Sequence, residues 1–185
     1  MAAWSVVVHG VRVRGDDASP VQSFLAHRPS DRWVLLADHA AQSMHQLQAA
    51  WTQATRQEVR QTMVARSVDA EFLRYLAGTH HIAEAFRRTG LKGKERKAWV
   101  VHLADVLPSG DNPAQPMAES SEDVEMEMNE LIASLSWHRD ERPMAPSIEG
   151  MSRLGIDAEG WDVSRWREAC VAHVLMADDQ SAAHR

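Results

Sequence analysis

Apolar and polar residues recur at helical spacing twice in succession between Ser67 and Gly90. Ser67 or Asp69 can cap the first helix, because a short side-chain oxygen accepts an N–H of the first turn. Gly78 stands where a left-handed C-terminal cap belongs, Thr79 can cap the second helix, and Gly90 closes it. The inward faces are predicted to consist of Phe72, Leu73, Leu76 and Ala77 in the first helix and Ile82, Ala85 and Phe86 in the second.

Other apolar segments predict strands and helices in alternation. Runs rich in Val, Trp and Leu are typical of strands, and apolar residues at a period of 3.6 are typical of helices. Asp38 is predicted to cap the longest helix. Strands separated by helices predict an α/β fold, here a single domain with a small mixed sheet of about four or five strands flanked by helices. The predicted strands are 5–13, 33–37 and 98–103, and the further helices are a short one opened by Pro20, then 39–60, 124–135, 147–154 (ended by Gly155) and 163–176.

One segment interrupts this alternation. Residues 105–135 contain eight acidic residues and no basic residue, and the first part of the segment is also rich in Pro, Ser and Gly. Such a composition cannot bury enough apolar area to fix its own structure. We therefore expect a flexible acidic loop at 105–123 within the single domain.

Composition and charge narrow the class of protein. The 185 residues carry a formal net charge of −6, which argues against a general nucleic-acid binder but permits a local basic patch. No run of about 18 apolar residues is present, so no membrane span is predicted. The single cysteine, Cys170, cannot form an internal disulfide, which favours a reducing, cytoplasmic setting.

Sequence patterns of common catalytic sites are mostly missing. Gly93-Lys94 is followed by Glu95 instead of the Ser or Thr of a phosphate-binding loop. We expect no cofactor, no bound metal and no catalytic residue. Ten histidines leave one alternative open, a small metal-assisted enzyme, although no Cys-x-x-Cys or His-x-x-x-His spacing supplies zinc ligands. The histidines that such an enzyme would use are His9, His81 and His102.

A turn at 92–97, with the sequence KGKERK, holds all three lysines of the chain. Basic side chains beside a helix end can follow a phosphate backbone. The first N–H groups of the helix that starts at Thr79 favour an anion, and His80 and His81 can stack on unpaired bases. The alternative is an ordinary solvated, charged turn.

The order of residues in the first helix pair also resembles a known family, the TPRKB-like (CGI) family. Its pattern is an acidic residue, Phe-Leu, Tyr, a small residue, Gly, two polar residues and Ile, then a helix that ends in Gly. The family usually has Ser before the glycine and Arg-Gln before the isoleucine, where this chain has Ala77 and His80-His81. The matching residues are Glu71-Phe72-Leu73-Arg74-Tyr75-Leu76-Ala77-Gly78-Thr79-His80-His81-Ile82 and Gly90-Leu91, and the likeness extends to Gly10-Val11-Arg12, Ala37-Asp38, Leu154-Gly155-Ile156-Asp157 and Val174-Leu175-Met176-Ala177-Asp178.

Members of that family are the kinase-binding subunit of the KEOPS (EKC) complex, which forms threonylcarbamoyladenosine in tRNA. The resemblance implies a non-catalytic subunit that binds and stimulates the complex's atypical kinase/ATPase and helps to recruit tRNA through its 3′ end. A kinase regulator without RNA contact is a further alternative. The residues expected to bind RNA are Arg74, His80, His81, Arg87, Arg88, Lys92, Lys94, Arg96 and Lys97.

The C-terminal helix has more apolar residues than its predicted buried face of Trp166, Cys170 and Val174 requires. Apolar residues outside a core mark an interface, and burial inside the protein is the alternative. In the family, the kinase subunit is held through a largely apolar surface. The residues expected to contact the partner are therefore Leu154, Ile156, Val171, Leu175 and Met176.

Overall fold

The computed structural model describes residues 5–107, 115–116 and 120–179. Within these residues the chain forms short strands and α-helices in mixed order. The strands are β1 (Val6–Arg12), β2 (Trp33–Ala37), β3 (Lys97–Leu103), β4 (Val106–Leu107), β5 (Gln115–Pro116) and β6 (His138–Arg139). The α-helices are α1 (Pro20–His27), α2 (Met44–Arg60), α3 (Val68–Leu76), α4 (Ile82–Thr89), α5 (Ser121–Ser134), α6 (Ile148–Leu154) and α7 (Trp166–Leu175).

Four strands form one sheet in the order β2-β3-β1-β6. Val6 of β1 lies opposite Leu103 of β3, and Trp33 of β2 lies opposite His102, so both neighbours of β3 run antiparallel to it. The α/β prediction is confirmed, although the described pairs of this sheet are all antiparallel rather than mixed. Nothing in the structure tests the prediction of a single domain.

Helices cover both faces of the sheet because alternate strand residues point to opposite sides. One face, with Val34 and Val101, packs against α2, α3, α6 and α7. The other face, with Val11 and Val100, packs against Phe24 of α1 and the apolar side of α5. The predicted buried face of α7 is confirmed at Cys170 and Val174, and Leu47 and Trp51 of α2 are also buried.

The predicted start of the longest helix is wrong. Asp38 opens a single 3₁₀ turn, and α2 begins only at Met44, where the Ser43 hydroxyl accepts a hydrogen bond from the Gln46 N–H at 3.2 Å. The buried Gln42 side chain accounts for the break. Its amide donates to the His39 carbonyl at 2.5 Å, and its carbonyl oxygen accepts from the Ser147 N–H at 2.7 Å. These contacts hold the backbone between the turn and the helix.

The helix pair at 68–89 ends as predicted at one glycine and differently at the other. Gly78 is left-handed with φ of +58°, whereas Gly90 is extended with φ of −78° and ψ of 151°. Phe86, predicted to point inward, is 49% exposed, so the inward face of α4 is smaller than expected. Of the predicted flexible loop, residues 108–114 and 117–119 lie outside the described part of the chain, and β4 pairs with β5 inside it.

Candidate functional site

The lysines predicted to bind RNA lie on the turn between α4 and β3. Lys92, Lys94 and Lys97 are all exposed, and no acidic side chain within the described residues pairs with them. Glu95, the only acid of the turn, points to Arg153 of α6 at 2.6 Å. Partial burial opposes its ionisation, but hydrogen bonds from Arg153 and from the Lys92 N–H hold the pKa of Glu95 below its usual value. The negative charge of the turn is therefore neutralised, and the three ammonium groups remain available to an anion.

The three arginines around this turn differ in how many of their N–H groups already donate to acceptors within the protein. Arg96 donates to the backbone carbonyls of Gly93 and Glu95 and so shapes the turn. Arg87 is exposed and pairs with Glu84 at 2.6 Å. Hydrogen bonds from Arg87 and Arg88 lower the pKa of the Glu84 carboxyl to about 2, so it stays ionised between them. Of these three arginines, only Arg87 is exposed.

Arg88 lies on the inner side of α4 instead of on the exposed surface. Its guanidinium donates to the carbonyls of Ala77 and Leu154, at 3.0 and 3.1 Å, and to Glu84 at 2.6 Å. Because these acceptors occupy the guanidinium, the prediction of a phosphate contact at Arg88 is not supported.

His80 and His81 lie where α4 begins. His81 is exposed, and its backbone N–H donates to the Thr79 hydroxyl at 3.2 Å. Because α4 starts at Ile82 with His81 at its N-cap and no side-chain cap hydrogen bond, the prediction that Thr79 caps this helix is wrong. The two rings lie edge to face, with their centroids 6.3 Å apart. The Nδ1 atom of His80 is buried and has no hydrogen-bond partner among the described residues. The ring of His81 therefore lies at the surface, as stacking on unpaired bases would require, and His80 is partly buried. Both stand at the start of α4, about 12 Å along the helix from the turn at 92–97.

Arg74 contradicts the predicted set of RNA contacts. Its side chain is only 1% exposed and pairs with the fully buried Glu71 at 2.7 Å and with Asp178 at 2.9 Å. The guanidinium also lies 4.1 Å from the centroid of the Tyr75 ring. A buried guanidinium in two ion pairs cannot reach a phosphate without unfolding its surroundings. Arg74 is a structural residue, and the prediction of an RNA contact there is wrong.

The C-terminal helix α7 forms a ridge between two apolar grooves. One groove, of about 780 Å³, is lined by Val163, Val171 and Leu175, among others. The other, of about 440 Å³, is lined by Trp161 and Met176, among others. Leu175 and Met176 are each 53% exposed, which fits their predicted place on a partner surface. We call this ridge with its two grooves the α7 surface.

Two other residues predicted on the partner surface are in the core. Leu154 is fully buried and Ile156 is 7% exposed, because both belong to the core cluster that α6 shares with α2, α3 and α7. The prediction that they contact a partner is therefore wrong. Sequence reasoning in turn missed Trp161 and Val163, which are 44% and 67% exposed. Trp161 is preceded by Glu159-Gly160 and followed by Asp162, and apolar residues within such a polar turn are a signal of exposure.

The metal-assisted alternative has no support in the described residues. His9 lies 2.7 Å from Glu125 and 3.2 Å from Arg139, and His102 packs on the Trp33 ring at 4.7 Å, while His81 lies at the start of α4. Within residues 5–107, 115–116 and 120–179, no group of three His, Cys, Asp or Glu side chains is placed to hold a metal ion. In the same part of the chain, no helix is both long and apolar enough to cross a membrane.

A family model described as kinase binding protein CGI-121 matches residues 20–142, about two thirds of the chain. This chain belongs to the CGI-121 family. The TPRKB-like resemblance of the sequence is thereby confirmed, and the family is one of kinase-binding proteins. No curated protein matches the chain. The matched segment of this CGI-121 protein contains α4 and the lysine turn, whereas the α7 surface lies beyond it, so the likeness drawn for residues 154–178 stays a prediction.

Proposed function

We propose that this CGI-121 protein is the kinase-binding subunit of a KEOPS complex. It would bind and stimulate the complex's atypical kinase/ATPase and help to recruit tRNA by its 3′ end, for formation of threonylcarbamoyladenosine. The observation that carries the proposal is the match to a family of kinase-binding proteins. The chemistry would belong to other subunits, and the protein would act in the cytoplasm, in keeping with one buried, unpaired cysteine.

The α7 surface is our candidate for the kinase contact. Exposed Leu175, Met176, Val163 and Trp161 lie together there, and clustered apolar side chains on a surface are typical of interaction sites. A charge placed at the centre of such a patch must be desolvated when the partner binds, which weakens binding strongly.

The test of the kinase contact compares two variants with the same charge change. Leu175→Glu is expected to weaken binding to the kinase subunit on the order of tenfold or more, measured by calorimetry. Met126→Glu is the control, because Met126 is equally exposed at 55% but lies on α5, across the sheet from α7. Equal kinase affinity of both variants would exclude the α7 surface, and absence of kinase binding by the wild-type protein would refute the proposed function.

The lysine turn and the start of α4 are our candidate for the tRNA contact. Three exposed lysines follow the end of α4, Arg87 is exposed in its last turn and His81 is exposed at its start, so this helix and its flanks carry both charge for phosphates and a ring for unpaired bases. On the opposite face of the sheet, the exposed acids Glu122, Asp123, Glu127 and Glu130 of α5 disfavour a polyanion. The distribution of charge therefore favours RNA on the α4 side.

The test of the tRNA contact also uses a matched pair. Lys92→Glu with Lys94→Glu should weaken tRNA binding on the order of tenfold, measured by fluorescence anisotropy. Arg60→Glu with Arg66→Glu makes the same change of charge at exposed positions away from the turn and should have little effect. Removal of the single-stranded 3′ end of the tRNA should lower the affinity of the tRNA for the wild-type protein but not its affinity for the lysine variant. If the lysine variant binds tRNA normally, the alternative of a kinase regulator without RNA contact is favoured.

A further inference from the structure

Two helix C-termini meet beside α4, where one α4 side chain reaches both. Ala77 is the C-terminal cap of α3, and Leu154 is the last residue of α6. Carbonyl groups at a helix C-terminus have no partner within their own helix and carry partial negative charge. Both of these carbonyls therefore need donors from elsewhere in the protein.

The same two side chains supply donors to both carbonyls. Arg88 of α4 donates at 3.0 Å to Ala77 and at 3.1 Å to Leu154. His173 of α7 approaches the same oxygens with its Nε2 atom at 2.9 and 3.1 Å. Since both partners of Nε2 are acceptors, this nitrogen must carry the proton. Four helices thus share one junction, which we call the carbonyl junction.

Two glycines make room for this junction. Gly78 and Gly155 follow the two carbonyls and are both left-handed, with φ of +58° and +92°. A Cβ atom on Gly78 would lie 2.4 Å from Nε2 of His173, and one on Gly155 would lie 2.6 Å from Nη1 of Arg88. A side chain at either glycine would therefore displace the His173 ring or the Arg88 guanidinium from the junction.

The junction lies between the two candidate surfaces. On one side, His173 belongs to α7, whose exposed residues form the candidate kinase contact. On the other side, the turn through Gly78 leads directly to His80 and His81 at the candidate tRNA contact. Arg74 adds a second, weaker connection, because it donates to the carbonyls of Thr79 and Ala177 at 3.5 Å each. A displacement of α7 therefore acts directly on the turn that sets the start of α4.

We propose that His173 is a positioning residue that couples the α7 surface to the tRNA contact at the start of α4, so that kinase and tRNA bind cooperatively. This inference rests on the proposed function. Cooperativity between two sites is a coupling free energy, and it requires an element that both ligands bias. The carbonyl junction is that element, because it joins helices from both surfaces through one pair of oxygens.

The test measures the Kd for tRNA with and without saturating KEOPS kinase subunit. In the wild-type protein we expect the kinase to tighten tRNA binding on the order of tenfold. His173→Ala should bring this ratio close to one while each partner alone still binds. Val174→Ala is the matched control: it removes packing from the same helix but keeps the His173 donor, and should retain the ratio. A ratio near one in the wild-type protein, or an unchanged ratio in His173→Ala, would overturn the inference and leave the proposed function intact.

A second measurement keeps the inference testable if His173→Ala fails to fold. Hydrogen exchange of the wild-type protein should slow at residues 77–82 when the kinase subunit binds, in addition to slowing at α7. His173→Gln, whose amide retains an N–H donor, should preserve part of this transmitted effect. Protection confined to α7 would overturn the inference. Absence of kinase binding altogether would refute the proposed function and the inference with it.

Discussion

Replacement of Arg74 by alanine is expected to destabilise the protein severely without being a direct test of RNA binding. The substitution leaves the Glu71 carboxylate fully buried, and among the described residues its one remaining donor is the Ala65 N–H, at 2.8 Å. Removing one partner of a buried ion pair costs about 3–5 kcal/mol, because the other charge stays desolvated. It also removes the contacts from Arg74 to Asp178 and the Tyr75 ring.

The expected loss is large compared with the stability of a typical domain, which is about 5–15 kcal/mol. For a chain of this size it corresponds to a fall in Tm of about 6–20 °C. Urea unfolding followed by tryptophan fluorescence would measure it. Asp178→Asn is a useful comparison, because Asp178 is 47% exposed and its loss should cost about 1 kcal/mol or less.

Two results would refute this reasoning. A loss of less than about 1 kcal/mol in Arg74→Ala would mean that the pair contributes little. A strong loss of tRNA affinity in Arg74→Lys, at a temperature where this variant is fully folded, would restore Arg74 as an RNA contact. Replacing Glu71 and Arg74 together by methionine should recover most of the stability, because an apolar pair leaves no unpaired buried charge.

Three further predictions follow from other parts of the molecule. Burial lowers the pKa of His39 and of His173 below 6.5, so the unfolded chain binds more protons than the folded protein near and below that pH. The free energy of unfolding should therefore fall as the pH drops below about 6.5, by at most about 1.4 kcal/mol per pH unit for each histidine. Urea unfolding at pH 7.5 and 5.5 would measure this fall. Burial raises the pKa of the Cys170 thiol to about 11, so alkylation at pH 8 should be roughly 100-fold slower in the native than in the denatured protein. Equal rates would contradict the burial of the Cys170 side chain of α7 in the core. If Lys92 and Lys94 contact phosphates of a single strand, their replacement should reduce the slope of log K against log salt by about 1.4, which a titration at several salt concentrations would measure.

Elements whose signal is local could be predicted from the sequence. The strand at 33–37 is an uninterrupted apolar run, and the observed bounds agree with the prediction. The end of α3 at Gly78 also follows from local backbone chemistry, since φ is positive there. The prediction that Asp38 caps α2 failed because the start of that helix depends on a contact between Gln42 and Ser147, which are more than 100 residues apart in the chain. A local pattern cannot reveal such a contact.

The candidate site was harder to predict because composition does not distinguish a buried cation from an exposed one. Arg74 and Arg88 carry a positive charge, as the lysines of the turn do, but inside the protein Arg74 donates to Glu71 and Arg88 donates to two helix carbonyls. A weak signal did exist for Arg74: it lies within the apolar segment FLRYL, three residues after Glu71, where a helix brings the two side chains together. Leu154 and Ile156 are apolar, and apolar residues occur both in interfaces and in cores, so their type alone did not predict their burial.

The ion pair between Arg74 and Asp178 spans 104 positions of the chain and has a consequence for biosynthesis. While a ribosome is still making α6, the apolar sides of α2 and α3 have no α7 to cover them. A nascent chain at this stage exposes surface that chaperones recognise. The α7 surface can form only after residues 161–176 have been synthesised, so a partner cannot bind there while α6 is still being translated.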